Sequence, residues 1–345
     1  MARKNITLRN IADSAGVTVS TVSAALNSTG RISDALRSRI GKTASRMGYQ
    51  PNMAAQLLRS KRSANIGMIV NDRIGNIRGS GYFQPLIAEF IETCHKEGLR
   101  NHIEFWDSSA NTEKLPWLLS SGFVGGIVHA GRLTPDIARW LRKNPDFPLV
   151  EIGEAHRHSV RSRIDNGSYQ AVRHLMALGH RRIAMACGPG KYDMHSQILK
   201  GFKRAVADFG VSVESEGWIR ELELASDRSA MLEGLEWTLS LLDGGKERPT
   251  AAIGADMRLA RAVIHGAGLR GLKVPEDLSV VGVGAAYDAD QCLPSVSTIE
   301  LDFGRIMEEA VTLLRRLMNR QEIHSSEIWC EVKFVERDST AHCKT

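Results

Sequence analysis

Residues 7–27 read TLRNIADSAGVTVSTVSAALN, and the order of small, apolar and polar residues in this stretch decides the N-terminal fold. Leu8, Ile11, Ala12 and Ala15 recur at i, i+3, i+4 and i+7, one face of a short helix, and Gly16 stops it by permitting a left-handed turn. Thr18 is placed to cap a second short helix whose buried side reads as Val19, Val22 and Leu26, leaving Ser20, Thr21, Ser23 and Ala24 for the other faces. Ser33 is placed to cap a third helix with Leu36, Ile40, Ala44 and Met47 inward, Arg37, Arg39, Lys42 and Arg46 wet, and Gly48 as stop. The three together make an all-α helix-turn-helix unit, although such periodicity alone occurs in any small bundle.

Charge sets this segment apart. Residues 1–62 hold 11 Lys/Arg against only Asp13 and Asp34, a net of +9, whereas the rest of the chain sums to −3 within a total of +6. A compact basic module on a mildly acidic body suits phosphate binding. The 345 residues predict two or three domains at about 100 to 200 residues each, and 43% hydrophobic content excludes a disordered chain. No apolar run approaches the roughly 20 residues a membrane helix needs, and MARKNITLRN lacks the apolar core of a secretory leader, so a cytoplasmic protein is expected. Cys94, Cys187, Cys292, Cys330 and Cys343 are scattered without a CxxC pair, which fits reduced thiols.

Residues 7–27, the helix from Ser33 to Tyr49 and YQPNMAAQLLRSKRSANIG (49–67) closely resemble the head and hinge of the lactose-repressor (LacI/GalR) family of transcription regulators. The likeness continues through IDNGSYQAVRHLMALGHRRIA (164–184), VPEDLSVVG (274–282) and FVERDSTA (334–341), so it covers essentially the whole chain. The resemblance implies that the second helix enters the major groove of an operator, with Val19, Ser20 and, one turn later, Ala24 at the base edges. Ala24 departs from the arginine common there in the family, and offers a methyl contact where a guanidinium would bond guanine. Thr7, Thr18, Thr21, Ser23, Asn27, Ser33, Tyr49 and Asn52 match positions that hold the phosphate backbone. Residues 52–60 are too few for a helix stable alone, and by resemblance Leu58 wedges into the minor groove while small Ala55 allows two hinge helices to approach.

From Ile66 onward apolar runs alternate with helical stretches: IGMIV, a helix around Leu86 to Lys96, HIEF, GGIVHA, PLVEI, SRI, RIAMAC, AAIGA and LSVVGV. That alternation signals parallel sheets with crossover helices, and two such units match an α/β two-lobed periplasmic-binding-protein-like body. The expected organisation is a head at 1–50, a hinge helix and linker at 51–63 and an effector-binding and dimerisation body at 64–345. Within the body, lobe 1 is expected at about 64–161 and 291–322, and lobe 2 at about 162–290 and 323–338. With no heptad-rich tail after Thr340, a homodimer is expected.

Catalytic and cofactor signals are weak. Gly282, Gly284 and Tyr287 lack the third glycine of a dinucleotide motif, and Gly188, Gly190 and Lys191 run into Tyr192 where a P-loop needs Ser or Thr. His156 with His158 is poor metal spacing, and Cys187 ends an apolar strand as an inert core thiol would. No enzyme activity, cofactor or metal is expected. Sugar-binding relatives commonly carry Arg, Asn and Asp where this chain has Ile198, Ala255 and Gly284, so a typical monosaccharide effector would lose its partners. The remaining cleft positions, by alignment, are Tyr82, Phe83, Leu86, His129, Leu301 and Phe303, an apolar and aromatic lining with one titratable group suited to an apolar or anionic small molecule. The function expected is a sequence-specific DNA-binding regulator, acting as a repressor on a near-palindromic double-stranded operator. A periplasmic solute-binding protein is the alternative, but it would have no use for the +9 head.

Overall fold

The computed structural model describes residues 6–26, 32–47, 65–72, 77, 80–107, 115–210, 218–222, 230–244 and 247–344. The chain divides into two compact units, Met1–Arg62 and Ser63–Thr345. In the first, α1 (Leu8–Ala15), α2 (Val19–Leu26) and α3 (Asp34–Arg46) enclose a small core of Ile11, Ala12, Val22, Ala25, Ile40 and Ala44. Gly16, at φ 65°, takes the left-handed conformation that ends α1. Thr7 and Asn10 form a capping box at its start, and Ser33 caps α3 by accepting from the Leu36 N–H.

The second unit is built on two six-stranded sheets. Its elements run β1 (Asn65–Asn71), α4 (Phe83–Lys96), β2 (Arg100–Trp106), α5 (Trp117–Ser120), β3 (Gly126–Gly131), α6 (Pro135–Lys143), β4 (Leu149–Ile152) and β5 (His158–Ser162). They continue through α7 (Ile164–Ala177), β6 (Ile183–Cys187), α8 (Asp193–Phe209), β7 (Ile219–Glu221), α9 (Ala230–Leu242), β8 (Ala251–Gly254), α10 (Met257–Leu269) and β9 (Ser279–Gly284). The last are α11 (Ala286–Asp290), β10 (Ser297–Glu300), α12 (Phe303–Met318), β11 (Ser326–Cys330) and β12 (Lys333–Val335).

Strand order is β11-β5-β4-β3-β1-β2 in the first sheet and β12-β10-β9-β8-β6-β7 in the second. All pairings are parallel except β12 on β10. Near-continuous burial along β1, β3, β4, β6, β8 and β9 is what a parallel sheet covered on both faces requires. Two expectations change. Ser297–Glu300 belongs to the second sheet and Ser326–Cys330 to the first, so the chain crosses between lobes near residues 163, 301 and 331. The expected assignment of 291–322 to lobe 1 holds only for its helix α12, which packs on β3, β4 and β5. Assigning all of 323–338 to lobe 2 is likewise wrong for β11. The SRI run is also split, because the strand ends at Ser162 and Ile164 already begins α7.

Two packing constraints carry consequences. Gly201 sits where α8 crosses α7 so closely that a methyl group there would overlap the backbone carbonyl of Asp165. In the first sheet, His129 on β3 and Glu151 on β4 are register partners with both side chains wholly buried, and His129 Nδ1 lies 2.9 Å from Glu151 Oε1. Neither His129 Nε2 nor Glu151 Oε2 has a hydrogen-bond partner among the described residues. Burial pushes the Glu151 carboxyl up to about 7, against the downward pull of His129.

Gly201→Ala is therefore expected to destabilise the body by about 1 to 3 kcal/mol in urea unfolding. Gly268→Ala, where a methyl meets nothing within 4 Å, should be neutral or mildly stabilising. Equal midpoints for Gly201→Ala and the native chain would contradict the close crossing. A second expectation concerns pH. With its folded pKa above the unfolded value of about 4.5, Glu151 contributes fully below that pH, and its contribution is lost as the pH rises through about 7. Glu151→Gln cannot titrate, so its stability relative to the native chain should rise between about pH 5 and about pH 7. A difference in urea midpoint that stays constant over that window would contradict the buried pair.

Candidate functional site

The head presents α2 by its first turn. Thr18 caps it, with the Thr21 N–H donating to Thr18 Oγ1 at 3.2 Å, and its hydroxyl also lies 2.8 Å from both Ser20 Oγ and Thr21 Oγ1. This hydroxyl cluster fixes the entry to the helix while Val22 and Ala25 anchor the opposite face. Val19, expected on the buried side, is 41% exposed. The reason is local: Val19 is the first residue of α2, ahead of the turn that Val22 buries. Val19 and Ser20 are thus accessible together and Ala24 follows one turn on, half-buried. Thr7 and Ser33 are exposed and act as helix caps, Thr21 and Ser23 are half-buried, and Arg39 ties α3 to α1 by donating to the Ala15 carbonyl at 3.1 Å. The expected contacts Asn27, Tyr49 and Asn52 and the hinge residues Ala55 and Leu58 lie outside the described residues.

In the body, a cavity of about 810 Å3 including its mouth opens at the carboxyl ends of the strands, between the lobes. That is where open parallel sheets place ligands. Lobe 1 supplies Asp72, Ser80, Tyr82, Phe83, Gly131, Ile152, Gly153 and Glu154, and lobe 2 supplies Pro189, Tyr192, Met194, His195, Asp256 and Arg258. Ser80 accepts from the backbone N–H groups of Tyr82 and Phe83, which sets the start of α4 and points both rings at the site. The Tyr82 hydroxyl stands over Gly153, where a methyl would collide with it.

Several bonds join the two walls. Arg161 of β5 donates to the Asp193 carboxylate at the start of α8, at 2.7 Å from Nη2 and 3.1 Å from Nε. Its other edge pairs with Glu327, and its guanidinium lies 4.2 Å from the Trp329 ring centre. The Asp193 N–H donates to Glu154 Oε1 at 3.1 Å. Burial raises the Glu154 carboxyl above its ordinary range, opposed first by this bond from the Asp193 N–H and then by Arg132 and Arg161, while the Asp193 charge adds to the rise.

Of the nine expected cleft residues, only Tyr82 and Phe83 line this cavity. Leu86, Ile198, Ala255, Leu301 and Phe303 are buried in the central core, and Phe303 backs the Tyr82 ring at 5.8 Å. Gly284 packs against Met257. His129 does not reach the cavity, because alternation along β3 turns it away from the face of Val128 and Ala130, toward Glu151. The expected lining with one titratable group is corrected too: Asp72, Glu154, His195, Asp256 and Arg258 all face the space. Each follows a strand end or opens a helix, a position that strand order alone could have marked. Asp256 caps α10 through the Leu259 N–H and holds Arg258 at 2.6 Å. Cys187 is buried and pushed up to about 12, as a core thiol would be. Among the described residues no group of three His, Cys, Asp or Glu could hold a metal ion, and no helix is long and apolar enough to cross a membrane.

Comparison with known proteins matches both units. Residues 7–52 fit the family of bacterial regulatory proteins, lacI family, and residues 172–340 fit the periplasmic binding protein-like domain. The catabolite control protein A of Priestia megaterium is 30% identical, over 97% of this chain and 99% of its own. The HTH-type transcriptional repressor PurR of Proteus mirabilis is 27% identical, over 97% of each. Among solved structures, the Lac repressor dimer bound to operator and the anti-inducer ONPF superposes with a TM-score of 0.83 at 23% identity, covering 98% of this chain and 100% of that one. The chain belongs to the lacI family of bacterial transcriptional regulators, with a helical DNA-binding head and a periplasmic-binding-protein-like body.

Proposed function

We propose that this protein is a cytoplasmic homodimeric repressor that binds a near-palindromic operator through α2 and changes its operator affinity when a small molecule occupies the interlobe cleft. The observation that carries the reading is the first turn of α2, where Val19 and Ser20 stand exposed on a rigid cap within a segment of net charge +9. Val19, Ser20 and Ala24 read base edges. The hydroxyls of Thr7, Thr18, Thr21, Ser23 and Ser33, together with Asn27, Tyr49 and Asn52, hold phosphates, and Leu58 beside Ala55 opens the minor groove between the two half-sites.

The bonds that Arg161 and Glu154 make to Asp193 support the second half of the reading, since they exist only while the two lobes face each other as they do here. A ligand acts on DNA binding only if it favours one lobe arrangement over another. Ile198, Ala255 and Gly284 bring no polar group to the cleft, which favours an effector other than a typical monosaccharide. The cleft is read as a binding site rather than a catalytic one, because no nucleophile, base and oxyanion donor converge in it among the described residues.

Incubated with DNA from its own upstream region, the full chain is expected to protect two half-sites whose centres lie about 10 to 10.5 base pairs apart. With roughly 6 to 10 phosphate contacts, affinity should fall about 10³- to 10⁵-fold between 50 and 200 mM salt. A single protected half-site, or binding insensitive to salt, would contradict the reading. Ala24→Arg is expected to shift preference toward guanine at one position of each half-site, with discrimination of about 1 to 3 kcal/mol measured by competition binding. Identical preference in both proteins would mean that this position of α2 does not face a base.

A further inference from the structure

The cleft's ligand class follows from an inventory of its charges, an inference that rests on reading the cleft as a ligand site. The one guanidinium among the lining residues, Arg258, is already paired, and so is Arg161 behind them. Arg258 gives Nε and Nη2 to Asp256 Oδ2 at 3.0 and 2.6 Å, and Arg161 is held by Asp193 and Glu327. Arg132 is exposed and outside the lining, and acts on Glu154 from there. His195 brings no positive charge, since burial drives it down to about 4. Its Nδ1 accepts from the Gly188 N–H at 3.3 Å, which leaves the neutral ring a donor at Nε2.

Glu154 is not balanced in the same way. Glu154 accepts one backbone bond at Oε1, and its other oxygen has no hydrogen-bond partner among the described residues. The Tyr82 hydroxyl reports this field, because besides burial its ionisation is opposed by Glu154, Glu151 and Asp193, all of them acidic. A half-buried carboxylate with an open oxygen favours a charged donor over a neutral one, since a charge-assisted bond is about twice as strong. An anion would meet the open Glu154 oxygen with no unpaired Lys or Arg among the lining residues to receive it. Tyr82, Phe83 and Tyr192 line the same cavity as Glu154, and aromatic faces attract cations, as the Lys191 ammonium 5.6 Å from the Tyr192 ring centre already illustrates.

We propose that the cleft takes an organic cation, with a flat apolar body held among Tyr82, Phe83 and Tyr192 and an ammonium group directed at Glu154. The His195 Nε2–H is left to receive an acceptor atom at the other end of such a molecule. This replaces the anionic ligand that His129 had implied, because His129 is locked to Glu151 outside the cavity.

The test is isothermal titration of the full chain at neutral pH with four probes of similar size: 2-phenylethylamine, 2-phenylethanol, phenylacetate and D-glucose. The amine is expected to bind at least about tenfold more tightly than the alcohol. Glu154→Gln should cost the amine about tenfold or more and leave the alcohol unchanged, while Glu154→Asp retains most of the amine's advantage. Asp243→Asn, at a solvent-exposed ion pair with Arg270, should change nothing, and urea midpoints check that each variant is folded. Tighter binding of phenylacetate or glucose than of the amine, an amine affinity indifferent to Glu154→Gln, or no binding by any probe up to about 10 mM would overturn the proposal. Operator binding in parallel separates the two claims. Glu154-dependent amine binding with unchanged operator affinity upholds the cation and defeats the effector reading, whereas glucose binding that alters operator affinity does the reverse.

Discussion

Parallel strand pairing is the constraint on which the rest of this body depends. A parallel sheet needs a crossover after each strand, and the crossovers bury both faces of the sheet. Polar side chains that open on a shared space are then best placed in the loops and helix starts beyond the carboxyl ends. Glu154 after β4, the Pro189–His195 segment after β6 and Asp256 after β8 all obey it, and the three crossings bring both sets of strand ends to one cleft. His129 shows the converse. Placed one residue short of the end of its buried run, it cannot reach solvent, and its polar ring is tolerated there only opposite Glu151.

Much of the fold was legible in the sequence where its cause is local. Gly16 ends α1 and Ser33 and Thr18 cap their helices because each act involves atoms within three or four residues. Strands such as IGMIV and RIAMAC announce themselves by unbroken apolar content, which double-sided burial demands. Sheet membership was not legible. Residues 297–300 and 326–330 look alike as short strands, yet one pairs with β9 and the other with β5, a choice made by partners more than 160 residues away for β11. The edge strand β7 and the charged strand β5 carry little apolar signal, which explains why the first was not expected and the second was displaced to SRI.

The site was legible in outline and misjudged in its chemistry. Alignment of single positions found Tyr82 and Phe83, whose direction is set by Ser80 at the start of α4, but it could not tell a residue at a strand end from one just before it. Ile198 and Ala255 occupy positions where the family resemblance had implied polar groups, and they complete the core. Polarity has moved to their neighbours: Arg258 and Asp256 beside Ala255, and His195 one turn before Ile198. The charge of the cleft is therefore a property of paired groups. Counting side-chain types along the chain does not reveal that Arg161 and Arg258 are spent on carboxylates while one oxygen of Glu154 is left open.

In the proposed function, the capped α2 reads DNA as one half of a two-fold symmetric protein. Selection of bound sequences from a random double-stranded DNA pool by the full chain tests it most directly. Enrichment of one near-palindrome with two matching half-sites at fixed spacing is the expected result. Enrichment of an isolated half-site, or no enrichment over the starting pool, would contradict it.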